Sequence, residues 1–130
     1  MKRKLVVAVD FDGTIVRDAY PDIGPLLPAA KSSINSLYTE HNCEIIIWTC
    51  REGQDLINCK NFLLENKINF TTINQNTLSV LRRWNNGDCR KIYADIYIDD
   101  RMPFTFKQIN WLNLYDYVLK YKYRYDYKFI

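Results

Sequence analysis

Residues 5–9, Leu5-Val6-Val7-Ala8-Val9, form an unbroken apolar run rich in β-branched side chains that stops abruptly at an acidic turn. Such a run is too short for a core helix and reads as a strand buried on both faces, a pattern characteristic of parallel sheets covered by helices. Residues 44–48 repeat it and end on Thr49, residues 70–73 give a third strand, and residues 94–98 a fourth that runs into Asp99-Asp100. Between them, residues 29–38 place Ile34 and Leu37 at helical spacing, and residues 52–66 do the same with Leu56, Cys59 and Leu63. A short helix is expected at 78–84, stopping at Asn85-Asn86-Gly87, while Pro21, Gly24, Pro25 and Pro28 mark residues 20–28 as a loop. The alternation predicts an α/β fold, a doubly wound, Rossmann-like and mostly parallel sheet with helices on both faces.

Ligands in such sheets bind beyond the carboxyl ends of the strands. That rule gathers Asp10, Asp12, Thr49, Asp99 and Asp100 along one edge, although they are scattered through the chain. The 130 residues, 48% of them hydrophobic, suit one domain with one core, and no repeat, linker or hinge divides them. Cysteines at 43, 50, 59 and 89 form no C-x-x-C pair, and His41 is the only histidine, which argues against a structural zinc site. Together with an apolar stretch near the N-terminus too short for a signal peptide or a membrane span, this predicts free thiols, no membrane partner and a cytoplasmic protein. The net charge of +3 is mild, yet with the four aspartates of the two acidic pairs set aside, 18 basic residues face 11 acidic ones. A body of that sign draws anions toward an acidic, cation-charged centre.

The sharpest local signal is Asp10-Phe11-Asp12-Gly13-Thr14. In an extended segment Asp10 and Asp12 point to the same side, where two carboxylates repel unless a cation lies between them. Mg²⁺, a hard ion that prefers oxygen ligands, is the natural answer, and Gly13 permits the close backbone turn. Asp99-Asp100 supplies a second acidic pair.

These residues resemble the haloacid dehalogenase (HAD) superfamily of phosphohydrolases, in particular its small members without a cap domain. Asp10-Phe11-Asp12-Gly13-Thr14 matches the D-x-D-G-T signature, Thr49 the phosphate-binding Ser/Thr, Lys91 the lysine before the fourth strand, with Arg90 as a rival, and Asp99-Asp100 the late acidic pair. Tyr20-Pro21, Ile23-Gly24 and Trp48-Thr49-Cys50-Arg51-Glu52 further resemble small bacterial HAD-like hydrolases. The resemblance implies a Mg²⁺-dependent phosphomonoesterase acting on a small phosphorylated metabolite or nucleotide. Asp10 would be the nucleophile and Asp12 the general acid and base. The metal would be held by Asp10, Asp12 through its backbone carbonyl, Asp99 and Asp100. Thr49, Lys91 and the backbone N–H groups of Phe11, Gly13 and Cys50 would hold the phosphoryl oxygens. A phospho-ligand-binding protein with little turnover, or a phosphotransferase using the same aspartyl-phosphate, would need the same residues. Receiver domains share the parts but carry their phosphoacceptor at the end of a central strand, where this chain reads Trp48-Thr49-Cys50 without an acid.

Arg51 is the best candidate to reach a substrate's leaving group, ahead of Arg82, Arg83 and Arg101. Six of the ten tyrosines lie between Tyr115 and Tyr127. The reading is an amphipathic helix over 112–119 followed by an edge strand or a Tyr-rich tail at 121–130, with nucleic acid not expected as a partner and homo-oligomerisation left open. Only about thirty-five residues separate Asp12 from Thr49. That leaves no room for a cap, so the site should be open, screened at most by the 20–28 loop and the 74–90 stretch.

Overall fold

The structure, a computed structural model, describes residues 3–103 and 108–124. Its elements run β1 (Val6–Val9), β2 (Val16–Ala19), β3 (Asp22–Leu26), α1 (Ala30–Thr39), β4 (Glu44–Ile47), α2 (Gly53–Glu65), β5 (Thr72–Ile73), α3 (Leu78–Arg83), β6 (Ile96–Ile98) and α4 (Trp111–Arg124). Every residue of β1 is buried. It pairs in parallel with β4 on one side and β6 on the other, and β5 extends the sheet beyond β4, giving the order β5-β4-β1-β6. Each fully buried Val or Ile contributes about 1.5–3 kcal/mol, so the sheet is anchored at its centre, where Val6, Val7, Val9, Ile45, Ile46 and Ile47 are inaccessible.

The chain leaves β1 in one direction through β4 and β5, then returns to the far side of β1 as β6. That reversal opens a crevice between the carboxyl ends of β1 and β6, the topological switch point of such sheets.

Alternation along the strands divides the core in two. Val7, Val9, Ile45 and Ile47 pack under α1, α2 and α4 in the larger cluster. Val6, Ala8 and Ile46 lie on the other face beneath Val80 of α3, Ile92 and Ala94. Helices therefore cover both faces, as expected, but unevenly. On α1 the buried positions Ala30, Ser33, Ile34 and Leu37 form one stripe at i, i+3, i+4 and i+7. From α2, Phe62 meets the ring of Phe11 edge-on, with centroids 5.9 Å apart, and so supports the first acidic loop from below.

Two sequence expectations need correction. Residues 20–28 are not a plain loop: β2 and β3 form an antiparallel hairpin, with Asp18 opposite Ile23 and Ala19 opposite Asp22, and Tyr20 and the cis-linked Pro21 at its tip. Gly24 allows the two strands to approach, since a Cβ there would collide with the Arg17 carbonyl, and a two-stranded ribbon tolerates Pro25 on its edge. The last helix also runs past Leu119 to Arg124, with Trp111, Val118 and Lys122 on its buried side, so Tyr121 and Tyr123 belong to a helix and not to an edge strand. The His41 ring holds this helix to the end of α1: Nδ1 lies 2.7 Å from the Tyr123 hydroxyl and Nε2 3.2 Å from that of Tyr115. The rest of the 121–130 tail lies outside the described residues.

All four cysteines are free. Burial pushes the thiols of Cys43 and Cys59 up to about 11 and about 12, which keeps them protonated and inert. Among the described residues no helix is long and apolar enough to cross a membrane.

Candidate active site

Asp10 follows the last residue of β1, and its backbone N–H donates to the Ile98 carbonyl at 2.9 Å, tying the ends of β1 and β6 together. The chain then turns back on itself, with the N–H groups of Thr14 and Ile15 both donating to the Phe11 carbonyl. Gly13 carries this turn at φ +83°, and any Cβ there would collide with the Asp100 carboxylate. Thr14, fully buried, joins the two acidic segments: its hydroxyl lies 3.2 Å from Asp10 Oδ2 as donor and accepts the Asp100 N–H at 3.0 Å. The indole N–H of Trp111 donates to the Thr14 carbonyl at 2.7 Å and fixes the turn from the α4 side.

The result is a cluster in which Asp10, Asp99 and Asp100 offer carboxylate oxygens all within 4.8 Å of one another. Burial, followed by the neighbouring Asp99 and Asp100, pushes the Asp10 carboxyl up to about 8. Asp100 is raised as well, mainly by burial. Three partly buried carboxyl groups so close together repel, and a hard divalent cation between them removes that repulsion. The donor set, all oxygen, fits Mg²⁺ in charge and chemistry.

Asp12 does not join this cluster through its side chain. Because the chain turns after Phe11 instead of staying extended, the Asp12 carboxylate faces Arg51, which donates from Nε to Oδ2 at 2.7 Å and from Nη2 to Oδ1 at 2.8 Å. The same guanidinium reaches the hairpin backbone, the Pro21 carbonyl at 3.0 Å and the Asp22 carbonyl at 2.9 Å, and lies between the rings of Phe11 and Tyr20. Arg51 is only 2% exposed. Four of its five N–H donors are engaged within the chain, so Arg51 is anchored to Asp12 and the hairpin while it lines the cleft.

Thr49 sits beyond β4, where the sequence placed it. The side chain of Asn74, which follows β5 at φ 55°, clamps it by accepting the Thr49 N–H at 2.8 Å and donating to the Thr49 carbonyl at 2.9 Å. The Thr49 hydroxyl accepts the Arg51 N–H at 3.1 Å, which leaves its own proton to donate. Together these residues line a cleft of about 460 Å³ formed by Asp10, Asp12, Thr49, Cys50, Asp99 and Asp100, with Asp18, Tyr20, Arg51 and Arg101 around them.

Other expected members of the site are not brought there. The Lys91 ammonium lies over the Tyr97 ring at 5.2 Å, on the sheet face covered by α3, and Lys91 does not line the cleft. Arg83 stacks over Tyr93 at 5.4 Å. The Gly13 N–H donates to the Val16 carbonyl at 2.8 Å, so it is engaged within the chain and not free for a phosphoryl oxygen. The 74–90 stretch contributes the Asn74 clamp but no cleft-lining side chain, since α3 packs on the sheet face. Asn74 and Asp18 were missed by sequence reasoning, whereas Tyr20 lay in the 20–28 stretch expected to screen the site and Thr14 closed the acidic motif.

Neither a protein-family model nor a curated protein matches the sequence. Among solved structures, the chain is similar to a conserved protein coded by a locus from Bacteroides thetaiotaomicron, with a TM-score of 0.78 and 30% sequence identity over 92% of this chain and 93% of that one. At that identity and coverage, this chain belongs to the same family as the conserved Bacteroides protein.

Proposed function

We propose that the protein is a Mg²⁺-dependent phosphomonoester hydrolase of HAD type. The observation that carries this reading is the convergence of Asp10, Asp99 and Asp100 at the switch point of a parallel sheet, with Thr49 at the end of the adjoining strand. Asp10 attacks phosphorus and displaces the alcohol, forming an aspartyl-phosphate that water then cleaves. Asp12 protonates the leaving oxygen and afterwards takes a proton from the water, for which it releases at least one of its two contacts with Arg51. The Thr49 hydroxyl donates to a phosphoryl oxygen, and Arg101, on the rim of the cleft, supplies the positive charge expected of Lys91. Asp10, Asp99 and Asp100 would hold Mg²⁺, which would supply positive charge against the phosphoryl group. Between Asp12 and Thr49 the chain forms only the hairpin, α1 and β4, in line with an enzyme without a cap, whose substrate is a small phosphorylated metabolite or nucleotide. Four free thiols support a cytoplasmic setting.

The test is turnover of p-nitrophenyl phosphate with Mg²⁺. Asp10→Asn should lower kcat by more than about a thousandfold. Equal rates in the two proteins would overturn the mechanism. A phospho-ligand-binding protein with little turnover is the second reading, favoured by the hold of Arg51 on both oxygens of Asp12. It predicts Mg²⁺-dependent binding of a phosphomonoester with no release of phosphate from the wild type.

A further inference from the structure

The cleft is larger than a phosphoryl group requires, and its outer part is built around one aromatic side chain. Tyr20, at the tip of the β2–β3 hairpin, lines the same cleft as Asp10 and Thr49 and is nevertheless 58% exposed. An exposed tyrosine on a hairpin tip ordinarily swings freely, but this one is fixed from three directions. Its hydroxyl lies 3.1 Å from Asp55 Oδ2 at the start of α2. Its backbone N–H donates to Asp18 Oδ1 at 3.1 Å. One face of its ring lies 5.1 Å from the guanidinium of Arg51, itself buried and anchored to Asp12 and the hairpin backbone. Asp55 thereby holds the hydroxyl toward the start of α2.

A preordered aromatic plane loses little freedom when a second plane stacks on it, which makes it an efficient contact. Arg51 already covers one face, so the exposed area belongs to the other face and the ring edge. We propose that Tyr20 is a stacking platform for the leaving group, and that the protein prefers phosphomonoesters carrying a planar aromatic group, a nucleoside monophosphate or an aryl phosphate, over those of aliphatic alcohols. This rests on the hydrolase reading above in placing the phosphoryl group at Asp10. A cleft of about 460 Å³ accommodates a ligand of that size. With no cap among the described residues, the hairpin is the element that grips the part of the substrate beyond the phosphate.

The experiment compares kcat/KM with Mg²⁺ for adenosine 5′-monophosphate, O-phosphotyrosine and ribose 5-phosphate in the wild type, Tyr20→Ala and Tyr20→Phe. The wild type should favour at least one aromatic ester over ribose 5-phosphate by about tenfold or more, and Tyr20→Ala should remove about tenfold of that preference, chiefly through KM. Tyr20→Phe, which keeps the ring, should retain the preference. Whichever aromatic ester leads tells nucleotide from aryl phosphate. Absence of a preference in the wild type, or its survival in Tyr20→Ala, overturns the proposal. If the wild type turns over none of the three esters, the hydrolase reading falls, and binding decides the platform separately. Adenosine 5′-monophosphate binding to Asp10→Asn with Mg²⁺ should then weaken about tenfold on adding Tyr20→Ala, and unchanged binding overturns the platform.

Discussion

Asp95, just before the amino end of β6, accepts four hydrogen bonds: two from the Arg3 guanidinium at 2.8 and 2.9 Å, one from the Val6 N–H at 2.8 Å and one from the Tyr93 hydroxyl at 2.6 Å. Asp99 and Asp100, beyond the carboxyl end of the same strand, face Asp10 across less than 4.8 Å. Where the chain supplies the donors, an aspartate cements the fold. Where like charges face one another, as at Asp10, Asp99 and Asp100, a hard divalent cation would relieve the repulsion. Asp12 belongs with Asp95 by this criterion, although it lies two residues from Asp10, because Arg51 grips both of its oxygens.

Arg51→Met should show the largest effect. It removes a buried cation, leaves Asp12 and two hairpin carbonyls without donors, and should cost about 4 kcal/mol of stability. Urea unfolding measures this, and a loss below about 1 kcal/mol would place Asp12 outside the compensated class. Arg51→Lys should recover only part, because a lysine cannot form the planar fork. Asp95→Ala should cost less, about 3 kcal/mol, since the Arg3 left behind is 27% exposed and regains water. Its kcat, per folded molecule, should stay near that of the wild type. A kcat collapse without unfolding would break the contrast between the two ends of β6.

The smallest effect concerns pH. The Asp10 carboxyl sits at about 8 in the folded chain against an ordinary 3.8, so between those values the folded state retains a proton that the unfolded chain has released. Stability of the chelator-treated protein should therefore fall as pH rises through that window, and Asp100, shifted the same way, adds to the slope. Mg²⁺ should flatten or reverse the slope, and Asp10→Asn should reduce it. Thermal melts from pH 4.5 to 8 with and without Mg²⁺ measure it, and a slope of opposite sign in the chelated wild type would show that burial and the neighbouring aspartates do not hold the proton on Asp10.

The parts legible in the sequence were those written in local pattern. β1 and β4 are continuous apolar runs, and α1 carries its buried stripe at helical spacing, so the parallel sheet and its acidic edge followed from topology rules. The hairpin was hidden because Pro21, Gly24 and Pro25 carry turn chemistry, and only the close approach of Gly24 to Arg17 gives them a place in paired strands. Tyr121 and Tyr123 alternate in sequence, yet Trp111, Val118 and Lys122 set a helical register that outweighs the alternation. Contacts between segments left no local mark at all. Arg51 reaches Asp12 across 39 positions and Asn74 reaches Thr49 across 25, and both depend on which loops the finished sheet brings side by side. Lys91 precedes β6 as its place in the sequence implies, yet its ammonium lies over the Tyr97 ring and it does not line the cleft, which again no local pattern marks.

The bond from the Asp100 N–H to the Thr14 hydroxyl spans 86 residues. During synthesis β1 emerges early and acquires β4 as its neighbour, while its other edge waits for β6. Until that last strand docks, Gly13 has no Asp100 against it and Asp10 is a lone carboxylate with no cation site around it. Any metal held by the three aspartates would thus bind late in folding, and the competence of the site would report that β6 has docked beside β1.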